Sequence, residues 1–350
     1  MTNAVLDGIS VGPDYPPYVI AEGGSNHMGD IEECKRLMLM AHDAGAQAFK
    51  IQKRDNKTLY TEEFYNSAYN SENAYKSTYG AHRDYLEFSL GQFLELQEYA
   101  NFLGITFIAT PFDLPSVDFL EAIDVPFYKV ASGSISNPLL LRKIASIGVP
   151  VVASFGGATP EEVERVVLLF ADAGTELILL HCVAGYPPRP EELTLETIDL
   201  LRETYPDHVV GFSDHDDGIS MALVAWAKGA RVFEKHITNS HTNKGTDHAF
   251  SLEYMGLRSY TGNLHEAGRA SPYQKQPLES ERDPLHKMRS SVYTTRDIAA
   301  GEILTAADLI LKSPADGLDG WEYDNLIGRT VREPIKKEEP LSWQKFEGGL

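Results

Sequence analysis

The sequence predicts an α/β protein, a closed (β/α)8 TIM barrel followed by a small β-rich domain. Three observations carry that expectation. Eight short apolar, β-branched runs recur with helical stretches between them. Polar side chains collect at the C-terminal ends of those runs, where barrels of this kind place their chemistry. A proline- and charge-rich segment then separates the repeating part from a final stretch of different pattern. A doubly wound open sheet is the alternative, but no glycine-rich phosphate turn follows the first run.

The eight runs are Tyr18–Glu22, Ala48–Gln52, Thr106–Thr110, Phe127–Ala131, Val149–Ser154, Leu177–Cys182, His208–Ser213 and Arg231–His236. Between the first two, Ile31, Cys34, Leu37, Met38 and Ala41 fall at helical spacing, and Gly45 supplies the stop. Thr159-Pro160-Glu161-Glu162 reads as an N-cap, proline at the first helical position and acids in the first turn. Val163, Val166, Val167 and Phe170 continue that helix to Gly174. The stretch 56–88 is too long for an ordinary connection. Its tyrosines (Tyr60, Tyr65, Tyr69, Tyr75, Tyr79, Tyr85) favour a packed lid over a disordered insertion. The expected division is a barrel over 1–270, a linker over 271–288 and the small domain over 289–350. A unit of that size is near the lower limit for independent stability, so a docking partner is expected.

Hydrophobic residues are 43 % and aromatics 10 % of the 350-residue chain, as in soluble globular proteins. There is no apolar run near membrane-spanning length and no leader pattern, so neither a membrane nor secretion is expected. Cys34 and Cys182 are the only cysteines, too few for a disulfide framework, which makes the reducing cytoplasm the expected location. The net charge of −20, from 31 basic and 51 acidic residues, opposes binding to nucleic acid or anionic lipid. A local lysine cluster still admits a small anionic substrate.

Such a cluster is present at the run ends: Glu22, Lys50 with Gln52, Thr110, Lys129 with Ser132, Ser154, Ser213 with His215, and Glu234 with His236. Lysines at a barrel mouth need an anionic partner. Together with hydroxyl groups they make a phosphate or carboxylate pocket. The plainer alternative is an ion pair closing the mouth, such as Lys129 with Glu22. His215 alone reads as a core histidine. With His236 at the matching position one run later, the two form a candidate site for a divalent metal. Two imidazoles leave open positions, which suits a catalytic hard metal more than structural zinc. His27 and His181 read as structural or supporting residues.

These residues lie in segments that carry a resemblance: Ala21-Glu22-Gly23-Gly24-Ser25-Asn26-His27-Met28-Gly29-Asp30, Lys50-Ile51-Gln52, Thr110-Pro111-Phe112-Asp113, Tyr128-Lys129-Val130-Ala131-Ser132, Ser213-Asp214-His215, and Glu234-Lys235-His236 through Gly245, Asp247 and Ser251. In that order they resemble the sialic acid synthase family, which condenses phosphoenolpyruvate with an amino sugar. The C-terminal segment from Val292 to Ile298, with Gly301-Glu302 and Leu309, resembles the antifreeze-like (SAF) domain of those synthases. The resemblance implies that Mn2+ (or Mg2+ or Co2+) is held by His215 and His236 and polarises an aldehyde. It also implies that phosphoenolpyruvate lies against Lys50, Lys129, Ser132, Ser154 and Ser213, with Gln52 and Thr110 nearby. Glu22, Tyr186 and Asp247 match positions near the sugar and metal, and Asn73 is a further candidate from the tyrosine-rich stretch. A domain-swapped homodimer is implied, in which the SAF domain serves the partner's barrel.

Departures from the family pattern fall mostly on the sugar side. Gly23 stands for an isoleucine, Phe155-Gly156 for Thr-Gly, Ser134 for a glutamate, Ala184 for an asparagine, and Ser313 beside Lys312 for an arginine. Lysine does not reproduce a forked guanidinium. The changes count against N-acetylmannosamine as the sugar, and the spore-coat polysaccharide biosynthesis relatives fit equally. Two other functions remain open from sequence: a sugar- or glycan-binding paralogue without catalysis, and another barrel lyase or aldolase acting through Lys129.

Overall fold

The computed structural model describes residues 3–270 and 276–348. The chain divides into two compact units, Met1–Ser271 and Pro272–Leu350.

In the first unit a hairpin, β1 (Ala4–Leu6) and β2 (Ile9–Val11), precedes eight parallel strands. These are β3 (Tyr18–Gly24), β4 (Ala48–Lys53), β5 (Thr106–Pro111), β6 (Tyr128–Val130), β7 (Val151–Ser154), β8 (Leu177–Cys182), β9 (Val210–Asp214) and β10 (Val232–His236). Hydrogen bonding runs β5-β4-β3-β10-β9-β8-β7-β6. β5 and β6 lie side by side without a ladder, so the barrel is nearly closed. Every expected run is a strand, with small shifts at the ends. β7 starts after Pro150, whose carbonyl accepts from Tyr128 N–H but whose own nitrogen has no proton to give.

Strand side chains alternate between the barrel interior and the helical layer. Ile20, Ala48, Ile108, Phe127, Val152, Ile178, Leu180 and Val232 pack in the lower interior with Ala4, Leu6 and Val11 of the hairpin. The hairpin therefore plugs the N-terminal end. The opposite faces (Val19, Phe49, Phe107, Val151, Leu179, Phe212, Phe233) pack against the helices. The first helix, Ile31–Asp43, is capped by Asp30, which accepts from the N–H groups of Glu32 and Glu33, and it buries Cys34, Leu37, Met38 and Ala41. The helix Pro160–Asp172 has the Thr159–Glu162 capping box and buries Val163, Val166, Val167 and Phe170.

The stretch 56–88 is packed. Its short helices Asn56–Leu59, Glu62–Asn66 and Tyr79–Tyr85 surround an aromatic cluster. Tyr79 lies 5.2 Å from Tyr60, 4.7 Å from Phe64 and 5.3 Å from Tyr69, between ring centroids. His27, in the turn after β3, packs on Phe88 at 4.4 Å. Its Nδ1 accepts from Gly29 N–H at 3.1 Å.

In the second unit, β11 (Ser291–Thr294) pairs antiparallel with β12 (Leu309–Lys312) over a core of Val292, Ile298, Leu304, Leu309, Leu326, Val331, Ile335, Leu341 and Phe346. The expected linker lies partly outside the described residues, at 271–275. Its later part forms a helix, Arg282–Met288, tied to this unit by Ala315 N–H donating to the His286 carbonyl at 2.9 Å.

Two predictions follow from the packing. Gly211 in β9 faces the crowded interior, where an added Cβ would stand 2.2 Å from the Val232 carbonyl oxygen and 2.4 Å from Leu180 Cδ2. Gly211→Ala is expected to lose about 2–3 kcal/mol of stability, measured by urea unfolding, because backbone cannot yield as a side-chain tip does. Burial lowers the pKa of His27 from 6.5 to about 4, outweighing a backbone hydrogen bond to Gly24 and the charge of Asp30, which both favour the protonated ring. The unfolded chain therefore binds the extra proton between those values, and stability falls as pH drops through that window and is fully kept above it. His27→Gln is expected to flatten the slope of unfolding free energy between pH 6.5 and 4, relative to the parent, by up to about 1.4 kcal/mol per pH unit.

Candidate active site

The alternation that fills the lower barrel with apolar groups continues upward into polar ones. Along β3 the inward series passes from Ile20 to Glu22, along β4 from Ala48 to Lys50 and Gln52, and along β10 from Val232 to Glu234 and His236. Together these side chains line one cavity of about 620 Å³ at the C-terminal end of the strands. Of the residues expected at a site, Glu22, Lys50, Gln52, Thr110, Lys129, Ser132, Ser154, Tyr186, Ser213, His215, His236 and Asp247 all line it. Asn73 does not; its side-chain oxygen accepts from Gly245 N–H at 3.2 Å, bracing the loop that carries Asp247. Neither His27 nor His181 reaches the cavity, and His181 bonds instead to the Leu193 carbonyl at 2.7 Å. Ala184 lines the cavity, whereas Ser134 is buried in the turn after β6 and does not.

The floor is a buried array of two lysines and two glutamates. Lys50 Nζ lies 2.5 Å from Glu22 Oε2 and 3.7 Å from Glu234 Oε2, and Lys129 Nζ lies 3.6 Å from that same Glu234 oxygen. The plainer alternative from sequence, an ion pair at the mouth, is present but with Lys50 and not Lys129 as the partner of Glu22. Glu22 and Lys50 are register neighbours on adjacent strands, so Glu22 meets Lys50, while Glu234 serves Lys129. Hydroxyls complete the shell: Lys50 donates to Thr110 Oγ1 at 2.9 Å and Lys129 to Ser154 Oγ at 2.7 Å. Gln52 donates to Glu22 Oε1 at 3.0 Å.

The charges set each other's state. Burial alone would push the Glu234 carboxyl up, but the ammonium groups of Lys129 and Lys50 hold it well below the ordinary range. Burial draws the Lys50 ammonium down, and Glu22 and Glu234 reverse this, so it stays firmly protonated. Lys129 is lowered by burial and by the charge of Lys50, with only Glu234 strongly opposing. Lys129 is thus the more readily deprotonated amine. Gly24, at φ 51°, lets the chain turn beside this array; a Cβ there would stand 3.2 Å from Asp247 Oδ2 and 3.4 Å from Glu22 Oε1.

At the rim, the His215 and His236 rings lie 5.3 Å apart. His215 Nδ1 donates to the Val183 carbonyl at 2.8 Å, which leaves Nε2 as its uncommitted lone pair. Burial first, then neighbouring His236, lowers the His215 pKa to about 3, so the ring is neutral at physiological pH. His236 Nδ1 is buried without a hydrogen-bond partner and lies 3.8 Å from Asp247 Oδ2. Tyr186 stacks on His215 at 4.3 Å, and Phe250 walls both rings. Among the described residues no group of three or more His, Cys, Asp or Glu side chains converges as a closed metal cage would. Two facing imidazoles, one of them with an orphaned nitrogen, fit the open kind of divalent site.

Of the charged residues that line the cavity, Glu234 was named at a strand end without a role of its own, and Arg54 and Arg83 were not singled out from sequence. Glu234 carried a readable signal, since it lies two residues before His236 and must share its face. Arg54 and Arg83 also line the cavity. Arg54 follows the end of β4, and Arg83 comes from the packed stretch 56–88, where periodicity gave no direction.

The match to known proteins covers both units. The NeuB family matches residues 37–275 and the SAF domain matches residues 289–347. The chain is 35 % identical to the N-acetylneuraminate-9-phosphate synthase of Homo sapiens, over 95 % of this chain and 93 % of that one. It is 32 % identical to the N,N'-diacetyllegionaminic acid synthase of Campylobacter jejuni, over 92 % and 97 %. Among solved structures, a spore coat polysaccharide biosynthesis protein E from Chromobacterium violaceum superposes with a TM-score of 0.73 at 30 % identity, covering 95 % of this chain and 99 % of that one. With a barrel of this order, a charged floor and both matches in sequence, the chain belongs to the NeuB family and carries a C-terminal SAF domain.

Proposed function

We propose that this protein condenses phosphoenolpyruvate with an N-acylated aldose of the hexosamine type, giving a sialic-acid-like nonulosonic acid and phosphate for surface or spore-coat polysaccharide. The observation that carries the reading is an anion seat and a metal seat facing one cavity: Lys50 and Lys129 among hydroxyls, and two uncommitted imidazoles at the rim. The names of relatives that make N-acetylneuraminate 9-phosphate and diacetyllegionaminic acid support it.

In this mechanism Lys50, Lys129 and the hydroxyls of Thr110, Ser132, Ser154 and Ser213 hold the carboxylate and phosphate of phosphoenolpyruvate. Glu22, Gln52, Tyr186 and Asp247 hold the sugar. His215 and His236 would hold Mn2+, or Mg2+ or Co2+, which supplies Lewis acidity toward the aldehyde oxygen. C3 of phosphoenolpyruvate forms a bond to the aldehyde carbon, whose oxygen takes up a proton. Water adds at C2, and the bond from C2 to the phosphate oxygen breaks to leave the 2-keto acid and inorganic phosphate. Glu234, kept ionised between the lysines, compensates their charge before and after the anion leaves. Burial that lowers Lys129 favours one competing reading, an aldolase working through a Schiff base on that amine.

The direct test is phosphate release from phosphoenolpyruvate with Mn2+ across N-acyl hexosamines and their 6-phosphates. Release with at least one sugar is expected, and none with any sugar would reject the condensation. His215→Ala and His236→Ala are each expected to lower kcat by about 10³-fold or more, as removal of a Lewis acid worth several kcal/mol should. Trapping of a substrate adduct on Lys129 by borohydride would instead establish the aldolase. We further propose a cytoplasmic, domain-swapped homodimer. Sedimentation is expected to give twice the chain mass, and a monomer at micromolar concentration would contradict it.

A further inference from the structure

The cavity holds two cations beyond those of its floor. On the floor, Lys50 and Lys129 are balanced by Glu22 and Glu234. Arg54 and Arg83 have no such balance: among the described residues neither guanidinium lies within ion-pair distance of a carboxylate. The nearby acids are engaged elsewhere, Glu87 with Lys53 at 2.6 Å and Asp247 beside His236 at 3.8 Å. Arg36, Arg189, Arg202, Arg282, Arg296 and Arg332 are each paired with an acid, but none of them lines this cavity. In a chain with 51 acidic and 31 basic residues, two unpaired arginines in one cavity call for a ligand.

Both side chains are held in place rather than free. The Arg54 guanidinium lies flat over Phe112, 3.7 Å from the ring centre, and donates to Gln52 Oε1 at 2.6 Å. Arg54 is buried, and Arg83 is mostly so. Arg83 Nε donates to Tyr79 Oη at 3.3 Å and is fixed by the aromatic cluster. The two cations are close enough that the charge of Arg83 adds to burial in destabilising the charged form of Arg54. Their place in the cavity is the side of Gln52 and Asp247. Planar forked donors suit a phosphate better than a hydroxyl.

Resting on the condensation reading, we infer that Arg54 and Arg83 form a second anion subsite that binds a phosphate monoester on the aldose, at the end remote from its aldehyde. The preferred sugar is then a hexosamine phosphate, and the departures at Ser134, Ala184 and Ser313 matter less because the phosphate anchors the substrate.

The test is calorimetric binding to the full-length, metal-free protein, which needs no turnover. The probes are N-acetylmannosamine and N-acetylglucosamine against their 6-phosphates. For at least one sugar the parent protein is expected to prefer the phosphate by about 100-fold, the scale of charge-assisted contacts. Arg54→Gln and Arg83→Gln should each reduce that ratio at least tenfold, and Arg83→Lys, which keeps the charge and is the gentler change for folding, should give an intermediate ratio. Equal affinity of the parent for free and phosphorylated sugars overturns the inference. So does a loss of phosphoenolpyruvate affinity in the glutamine variants with an unchanged sugar ratio, which would assign the arginines to the other substrate. Failure of the condensation itself would appear separately, as absent phosphate release with every sugar while the binding ratio remains measurable.

Discussion

The site depends on four charges buried at the centre of the barrel. Each ammonium or carboxylate taken out of water costs several kcal/mol, so none could be there alone. Alternation resolves this: Glu22 meets Lys50, and Glu234 lies between Lys50 and Lys129. Each member is also tied to an adjacent strand or its own. Lys50 reaches Thr110 on β5, Lys129 reaches Ser154 on β7, and Glu234 accepts from Ser213 on β9 at 3.4 Å. The array is therefore both a product of barrel closure and a condition for it. Taking away one carboxylate would leave an ammonium stranded in low dielectric, and the closing strands would lose the partner that orients them.

Much of this was legible because a strand has a period of two and a barrel has one interior. Once Ile20 is inside, so is Glu22; once Val232 is inside, so are Glu234 and His236. The strand ends could be named from sequence for that reason. The order of partners could not. Lys129 with Glu22 was one pairing that charge allowed, yet hydrogen bonding places β3 beside β4 and β10, with β6 at the far end of the ladder. Which charges meet is decided by position around the ring, and that is not written in the local periodicity of any one strand.

The stretch 56–88 marks the other limit. Its composition implied packing, and the rings of Tyr60, Phe64, Tyr69 and Tyr79 do pack. But three short helices joined by turns have no single period from which a direction can be read. Whether Arg83 faced solvent or cavity was undetermined until the cluster fixed Tyr79, against whose ring and hydroxyl Arg83 rests. Arg54 was similarly hidden, since its direction comes from stacking on Phe112 in a loop after a different strand. Long-range aromatic contacts supplied the constraint that sequence spacing lacked.

The faces of β9 and β10 opposite the site explain why its register is secure. Asp214 and Lys235 are register partners, each adjacent in sequence to a cavity residue on both sides, and both are fully buried among the helices. Lys235 Nζ lies 3.2 Å from Asp214 Oδ1 and 2.7 Å from Asp216 Oδ1, with the Tyr260 ring 5.9 Å away. A slip of one residue in either strand would carry one member of this pair into the barrel and push a histidine outward into the apolar layer. Each half of that exchange strands a buried polar group, so the wrong register is penalised twice. The ion pair behind the sheet thus holds His215 and His236 on the cavity side without touching anything in the cavity.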